Sequence, residues 1–512
     1  TSPKDMDIQN PKSRLSSSPS SLTTNRCLCR VLMIILLTTN NISTFVSAIK
    51  QKTATTTNRS SATTAFLSIH PKCRSLSSAA TFSSTGVHSE YHRNRSSSLN
   101  SLQARKKSLS STFLSMSSSE KADDLSPTVI IAGAGVIGIS TAYYLALNHS
   151  IKSILIDPTG TIAPAASGKA GGFLALDWND FSPTRSLTRR SFVLHSQLAE
   201  TLGKDDIMYR RLTCANVAVN PVGSSWNKPS GKKLEGVEWV DPDDDTTQVS
   251  GVSLLGDEST IAQVHPKMLC DKMWEVTQQS VDGCKLIQGE VVSSAYDGDD
   301  DNKSFVGAKL ADGTIIKGDA LLYSCGPWTK FGTMMGVKYH SAIIPTPDVL
   351  TQSVFFAGCG DPEVYPRPDK TAYCTGFPDE AVKVTEKPGE VEVRKDRIQK
   401  IVDSVRKASS KKSDDDYGGA LSADPILEQA CYLPTTLDGL PLMGKLSSSS
   451  IHGGGGPCYV AAGHGCWGIL MGPGTGEAMA NVINKDIGKG GIVDKNAYDL
   501  DLRPFDPARF GL

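Results

Sequence analysis

The chain has 512 residues and a mass of 54.6 kDa, enough for two or three domains of ordinary size. Lys+Arg and Asp+Glu each number 53, so the net charge is zero, which argues against a dedicated nucleic-acid binder built on a basic excess. With 39% apolar and 21% charged residues, the composition is that of a globular chain with a sizeable core.

The charge is unevenly spread. Residues 1–120 hold 15 Lys+Arg against 4 Asp+Glu, a net of +11, and 44 of these 120 positions are Ser or Thr. The rest of the chain therefore carries −11. Within the leader, Arg26 and Arg30 precede the apolar run Val31–Leu37, and the small-residue phrase Val46-Ser47-Ala48 follows. A basic start, a short apolar stretch and such a site read as a secretory signal. The run falls far short of the ~20 residues that span a bilayer. Residues 49–119, rich in Ser, Thr and Arg with Glu90 as their only acid, have transit-peptide composition. Signal plus transit segment resembles the two-part plastid address of algae. The expected location is an organelle, the plastid, with the cytoplasm as the alternative if translation starts at Met116. The cysteines outside the leader are scattered singly with no C-x-x-C pair, which argues against a disulfide framework, and no metal site is expected.

The folded chain begins with a β-branched strand, Thr128–Ala132, followed at once by Gly133-Ala134-Gly135-Val136-Ile137-Gly138. A helix over Ile139–Asn148 and a second strand over Lys152–Asp157 come next. In a dinucleotide site of this order, Gly133 makes the strand-to-helix turn and Gly135 lets the backbone approach a pyrophosphate. Gly138 lets helix and strand pack closely. The helix N-terminus offers free N–H groups to phosphate. Asp157, 19 residues after Gly138, is placed to grip a ribose hydroxyl and argues against an NADP phosphate.

Four further blocks follow in order. The first is the small-residue loop Ala165-Ala166-Ser167-Gly168-Lys169-Ala170-Gly171-Gly172. The second is a buried strand from Asp319 that ends in Cys325-Gly326-Pro327-Trp328. The third runs from Cys431 through Leu433-Pro434 and Asp438-Gly439 to Gly444, and the fourth is Tyr459–Leu470, containing Gly463-His464-Gly465-Cys466-Trp467-Gly468-Ile469. A helix over 267–280 is expected to pack through Met268, Cys270, Met273 and Val276, entered by His265-Pro266.

Together the five blocks, over about 127–486, resemble the FAD-dependent D-amino-acid-oxidase-like superfamily, which includes glycine and sarcosine oxidases. Within it the wording is most similar to eukaryotic FAD-dependent oxidoreductases, fungal chains among them. The resemblance implies an α/β fold: a doubly wound, Rossmann-like FAD-binding domain and a smaller antiparallel-sheet substrate domain. The corresponding boundaries are a leader over 1–120, the FAD domain in 127–199, 263–336 and 426–486, the substrate domain in 200–262 and 337–425, and a tail over 487–512.

By the same resemblance Gly133, Ala134, Gly135, Val136, Ile137, Gly138 and Asp157 serve the adenosine and pyrophosphate end of FAD. Ser167, Gly168, Lys169 and Gly171 lie along the flavin, and Val291, in an expected strand Leu286–Val292, meets the adenine through its backbone. Gly326, Trp328, Gly465, Cys466, Gly468 and Ile469 complete the set, the last group placing a helix N-terminus at the flavin pyrimidine, where reduced flavin carries charge. Lys169 and His464 are the candidate catalytic residues, each with a structural alternative: a surface lysine beside a glycine turn, and a hydrogen-bonding histidine.

The chain departs from the pattern at Leu433, where glycine-oxidase-like chains carry an Arg that holds the substrate carboxylate. Arg367 or Lys169 would have to replace it, or the substrate lacks that carboxylate. The expected activity is oxidation of a C–N bond of an amine or amino-acid-like substrate by hydride transfer to flavin N5, with oxygen or another acceptor taking the electrons. No nucleic-acid partner and no membrane span in the mature form are expected. The alternative is a flavin-containing protein with a sorting or scaffolding role and little turnover.

Overall fold

The computed structural model describes residues 127–221, 237, 239–240, 247–298, 303–331, 334–357, 362–379, 381–382, 384–409, 419–447, 456–488 and 500–512. The leader, with its address signals, lies outside these residues.

In chain order the elements are β1 (Thr128–Ala132), α1 (Val136–His149), β2 (Lys152–Asp157), β3 (Phe173–Ala175), α2 (Arg185–Leu202), β4 (Arg210–Arg211), β5 (Thr213–Pro221), β6 (Thr247–Gly256) and β7 (Ile261–Gln263). Then come α3 (Pro266–Ser280), β8 (Lys285–Gln288), β9 (Val291–Asp297), β10 (Ser304–Leu310), β11 (Ile315–Lys317) and β12 (Ala320–Tyr323). The last part holds β13 (Met335–Pro345), β14 (Gln352–Ala357), β15 (Glu363–Pro366), β16 (Thr371–Gly376), β17 (Ala381–Val382), α4 (Lys395–Ala408), β18 (Leu427–Thr435), β19 (Leu442–Lys445), β20 (Cys458–Ala462) and α5 (Gly468–Ile487).

A six-stranded sheet of order β19-β20-β12-β1-β2-β8 forms the first layer. It is parallel except for β19, which pairs antiparallel with β20. Its central strands are apolar on both faces because both faces are covered. Val129, Ile131 and Leu155 face α1, α2, α3 and α5. Ile130, Ile154 and Leu321 face the small antiparallel sheet β9–β11. Helix α1 is buried continuously from Val136 to Ala146. A helix whose only polar residues over that stretch are the adjacent Ser140 and Thr141 has no polar stripe to turn to solvent.

The second large sheet has the order β17-β13-β16-β15-β14-β5-β6, and β18 pairs with β13. It is antiparallel apart from the β14–β5 pair. Helix α4 buries Ile398, Ile401, Val402, Val405 and Ala408, an i, i+3, i+4, i+7 stripe, against one face of it. A second small sheet has the order β3-β7-β4.

Three details differ from expectation. Leu286–Val292 is not one strand. Gly289, whose N–H donates to the Asp157 carbonyl at 3.1 Å, breaks it, so β8 extends the parallel sheet and β9 starts another. Leu427–Thr435, expected in the FAD domain, instead runs along β13 in the antiparallel sheet for nine paired positions. In α3 the buried face is Leu269, Cys270, Met273, Trp274 and Thr277, whereas Met268 and Val276 are only half-buried, since the face turns with the 3.6-residue period. His265 caps this helix, its Nδ1 accepting from the Met268 N–H at 3.4 Å.

Candidate active site

The glycine turn is held by three constraints. Gly133 has φ +100°, and a Cβ there would sit 2.6 Å from the Ser324 carbonyl oxygen. A Cβ on Gly138 would sit 2.3 Å from the Gly133 carbonyl oxygen, so α1 rests directly on the turn. Asp157 ties the turn to β2: its Oδ2 accepts the Ala134 N–H at 3.1 Å and its Oδ1 accepts the Thr159 N–H and hydroxyl at 3.0 and 2.7 Å. Ser167 Oγ accepts the Val136 N–H at 3.0 Å, docking the small-residue loop on the start of α1.

At the other end of the sheet, β20 runs through His464 into α5. Gly472 and Gly476, one turn apart, let α5 lie on α1: a Cβ at 472 would meet Val136 at 2.8 Å, and one at 476 would meet the Ser140 backbone at 2.4 Å. The N-termini of both helices therefore open on one cavity of about 220 Å³. Each terminus leaves N–H groups without intrahelical partners and a positive dipole end, the arrangement that suits phosphate and developing negative charge.

Most of the expected cofactor residues line this single cavity: Gly133, Gly135, Val136, Ile137, Asp157, Ser167, Val291, Gly326, Trp328, Gly465, Cys466, Gly468 and Ile469, together with His464. Five are not part of its lining. Ala134 and Gly138 are internal to the turn. A Cβ on Gly168 would sit 2.2 Å from the Ala163 carbonyl oxygen. Gly171 lies under the rings of Tyr365 and Tyr373, with a Cβ position 2.2 Å from the first. Lys169 turns its ammonium away to donate to the Ala430 carbonyl at 3.1 Å. Arg367, the other cation considered, is buried at the far side of this loop. It donates to the Ala170 carbonyl at 3.3 Å and stacks over Tyr373.

His464 is 4% exposed and its Nε2 is 3.0 Å from Thr475 Oγ1. Burial lowers its pKa to about 3, so the ring is neutral at physiological pH and acts as a hydrogen-bonding group. Burial pushes the Cys325 thiol up to about 12, so it is not a thiolate, whereas Cys466 on the same cavity lining is exposed. Leu433, on β18, lines the cavity and presents only an aliphatic side chain there.

Sequence reasoning missed Glu290 and Lys330. Both line the cavity and pair at 3.3 Å. Their closeness depends on the break at Gly289, which no local pattern announces. Trp328, which also lines the cavity, is locked by its Nε1 donating to the Thr385 carbonyl at 2.7 Å.

The dinucleotide fit is physical. A glycine cradle, two helix N-termini and a carboxylate at the end of β2 converge on one cavity whose lining includes both Val291 and Cys466. No helix among the described residues is long and apolar enough to cross a membrane.

Residues 128–482 match the family described as FAD dependent oxidoreductase, the DAO family. The Schizosaccharomyces pombe protein named "Putative oxidoreductase C1F5.03c" is 30% identical over 388 residues, covering 70% of this chain and 94% of that one. The beta subunit of sarcosine oxidase from an Arthrobacter species is 24% identical, covering 70% and 87%. Among solved structures, glycine oxidase from Geobacillus kaustophilus superposes with a TM-score of 0.56 at 19% identity, covering 75% of this chain and 99% of that one. The chain belongs to the DAO family of FAD-dependent oxidoreductases.

Proposed function

We propose that the protein oxidises the C–N bond of a small amine or amino-acid-like molecule, with oxygen as the final acceptor. FAD, when bound, supplies the two-electron acceptor for that oxidation. The chain's own residues do the rest. The turn around Gly133 and Gly135, with the start of α1, would hold the pyrophosphate. Gly465, Gly468 and Ile469 would aim the start of α5 at the end of the cofactor where charge develops. The observation that carries the reading is the convergence of both helix N-termini on one cavity whose wall continues to Leu433 on the antiparallel sheet. That wall is where a substrate would be positioned, and positioning is the protein's main lever in such chemistry.

The test is an absorbance spectrum of the purified full chain, then anaerobic titration with a panel of amines and amino acids. Flavin absorbance that one compound class bleaches establishes the activity. Flavin absorbance that nothing bleaches favours the second reading, a sorting or scaffolding role, which the aliphatic Leu433 at the expected anchor position supports. The leader is proposed to address the protein to a plastid. A fluorescent fusion of residues 1–120 that stays in the cytoplasm would overturn this.

A further inference from the structure

The antiparallel sheet has two unlike faces. One packs Ile344, Val354, Phe356, Val364 and Cys374 with α4 into a closed apolar core. Cross-strand register sets the other. Phe355 pairs with Glu363, Glu363 with Thr375, Thr375 with Ser341, and Ser341 with Gln429. Tyr365 pairs with Tyr373 in the next row. Alternation puts all of these on the face opposite α4, the face that also carries Tyr339 and Leu433. Leu433 lines the cofactor cavity.

Glu363 is the one carboxylate in this row. Its Oε2 accepts the Tyr365 hydroxyl. Among the described residues no ion pair involves it. The expected cations are engaged elsewhere: Lys169 on the Ala430 carbonyl, and Arg367 on the Ala170 carbonyl and beside His265. Burial raises its carboxyl, and its charge is felt by Tyr339 and by Cys466, which lines the cofactor cavity. Around it the rings of Phe173, Phe355, Tyr365 and Trp178 pack with centroids 5.2 to 5.7 Å apart, and Trp467 closes the group edge-on to Trp178 at 6.2 Å.

A carboxylate partly withdrawn from water without a cation carries a cost, and aromatic faces attract cations. The chain therefore has the opposite polarity to an arginine-anchored amino-acid site: a half-buried acid beside aromatic rings, and leucine where a cation would stand. We propose that Glu363 anchors the substrate and that the substrate is a carboxylate-free diamine or polyamine. One nitrogen lies at the oxidised carbon near Cys466, and a second, as ammonium, pairs with Glu363. This rests on the proposed amine-oxidising function and names its substrate class.

The experiment uses the full FAD-loaded chain. Putrescine and N-methylputrescine should bleach the flavin anaerobically with a KM about tenfold or more below that of butylamine, the loss expected for one charge-assisted contact. Glu363→Gln, which keeps the acceptor for Tyr365, should raise KM for the diamines about tenfold with a smaller change in kcat, and shift the butylamine KM much less. Calorimetry with benzyltrimethylammonium reads the same site without turnover: binding to the parent and loss in Glu363→Gln support the proposal. Equal effects of the substitution on diamine and monoamine would assign Glu363 a structural role and overturn it. Reduction by glycine, sarcosine or D-alanine but not by diamines would overturn it while leaving the amine-oxidising function intact. A flavin bleached by none of these compounds, with no binding of the quaternary probe, would remove both.

Discussion

The Nε2 of His195 lies 2.9 Å from the carbonyl oxygen of Ile469. Pro473, four residues beyond Ile469 inside α5, has no N–H to give that carbonyl. His195, fully buried on α2, supplies the missing donor, and Ser191 Oγ one turn earlier accepts the Gly474 N–H at 2.9 Å. Ile469 lines the cofactor cavity, so two side chains of α2 repair the part of α5 that the cavity depends on. His195→Phe leaves a buried carbonyl unpaired and should cost about 2 kcal/mol of stability. In a Pro473→Ala background, where the helix regains its own donor, the same substitution should cost less. Chemical denaturation of the four proteins measures the coupling.

Two buried histidines, His195 and His464, and the half-buried His265 give a signed pH dependence. Burial lowers His195 and His265 to about 4 and His464 to about 3. The Arg367 charge adds to the shift at His265. An unfolded histidine takes its proton near pH 6.5, so between about 6.5 and 4 the unfolded chain binds more protons than the native one. Stability present above 6.5 is therefore lost on acidification through this window, and His195 alone accounts for about 3 kcal/mol. Glu363 works the other way, since a carboxyl raised by burial takes its proton earlier in the native state. Denaturation midpoints at pH 7.5, 6 and 5 should fall steadily, and the slope should flatten in His195→Phe. A midpoint unchanged down to pH 5 would contradict the burial of these rings.

Cofactor retention should be lost at the glycine turn without loss of the fold. Gly135→Asp keeps the backbone, because Gly135 is already extended at φ −78°, but adds a carboxylate where phosphate is expected. Gly138→Ala forces a methyl to within 2.3 Å of the Gly133 carbonyl oxygen and displaces α1. The first variant should purify folded and colourless, and the second should be destabilised as well. Flavin-to-protein absorbance ratios beside circular dichroism separate the two. Normal flavin loading in Gly135→Asp would refute the assignment of the cradle.

Leu433→Arg tests substrate polarity from the opposite side. A guanidinium on β18 facing the cavity supplies a two-pronged carboxylate contact. Oxidation of glycine, sarcosine or D-alanine, measured as peroxide release, should appear or rise about tenfold relative to the parent. No gain with any of the three would show that Leu433 is not where a carboxylate binds.

How much of this was readable before folding depends on how local the cause is. The turn from Gly133 to Gly138 and the strand Lys152–Asp157 are written in adjacent residues: glycine for a positive φ, β-branched residues for a doubly buried strand, an acid at its end. Glu290 and Glu363 were invisible for the opposite reason. Glu290 reaches the cavity only because Gly289 breaks the strand, and Glu363 gains its setting from register across β13, β14, β15 and β16. Lys169 misled because a lysine in a loop that passes the cofactor gives no sign of which way its stem turns; here a β18 carbonyl claims it. The nine paired positions of β18 along β13 likewise come from long-range pairing, not from the phrase Leu433-Pro434.

The order β19-β20-β12-β1-β2-β8 has a consequence for biosynthesis. The strand that carries the glycine turn is among the first made, yet its neighbour β12 is flanked by β20, more than 300 residues later in the chain. Contacts of such sequence separation close slowly. A ribosome-bound chain that stops before Cys458 holds half of a cradle and no second helix start, so it lacks the part of the cavity lining from Ala461 to Ile469. Completion of the FAD cavity is therefore among the last events in making this protein. Any step that delivers the chain elsewhere before α5 docks carries it with that cavity unfinished.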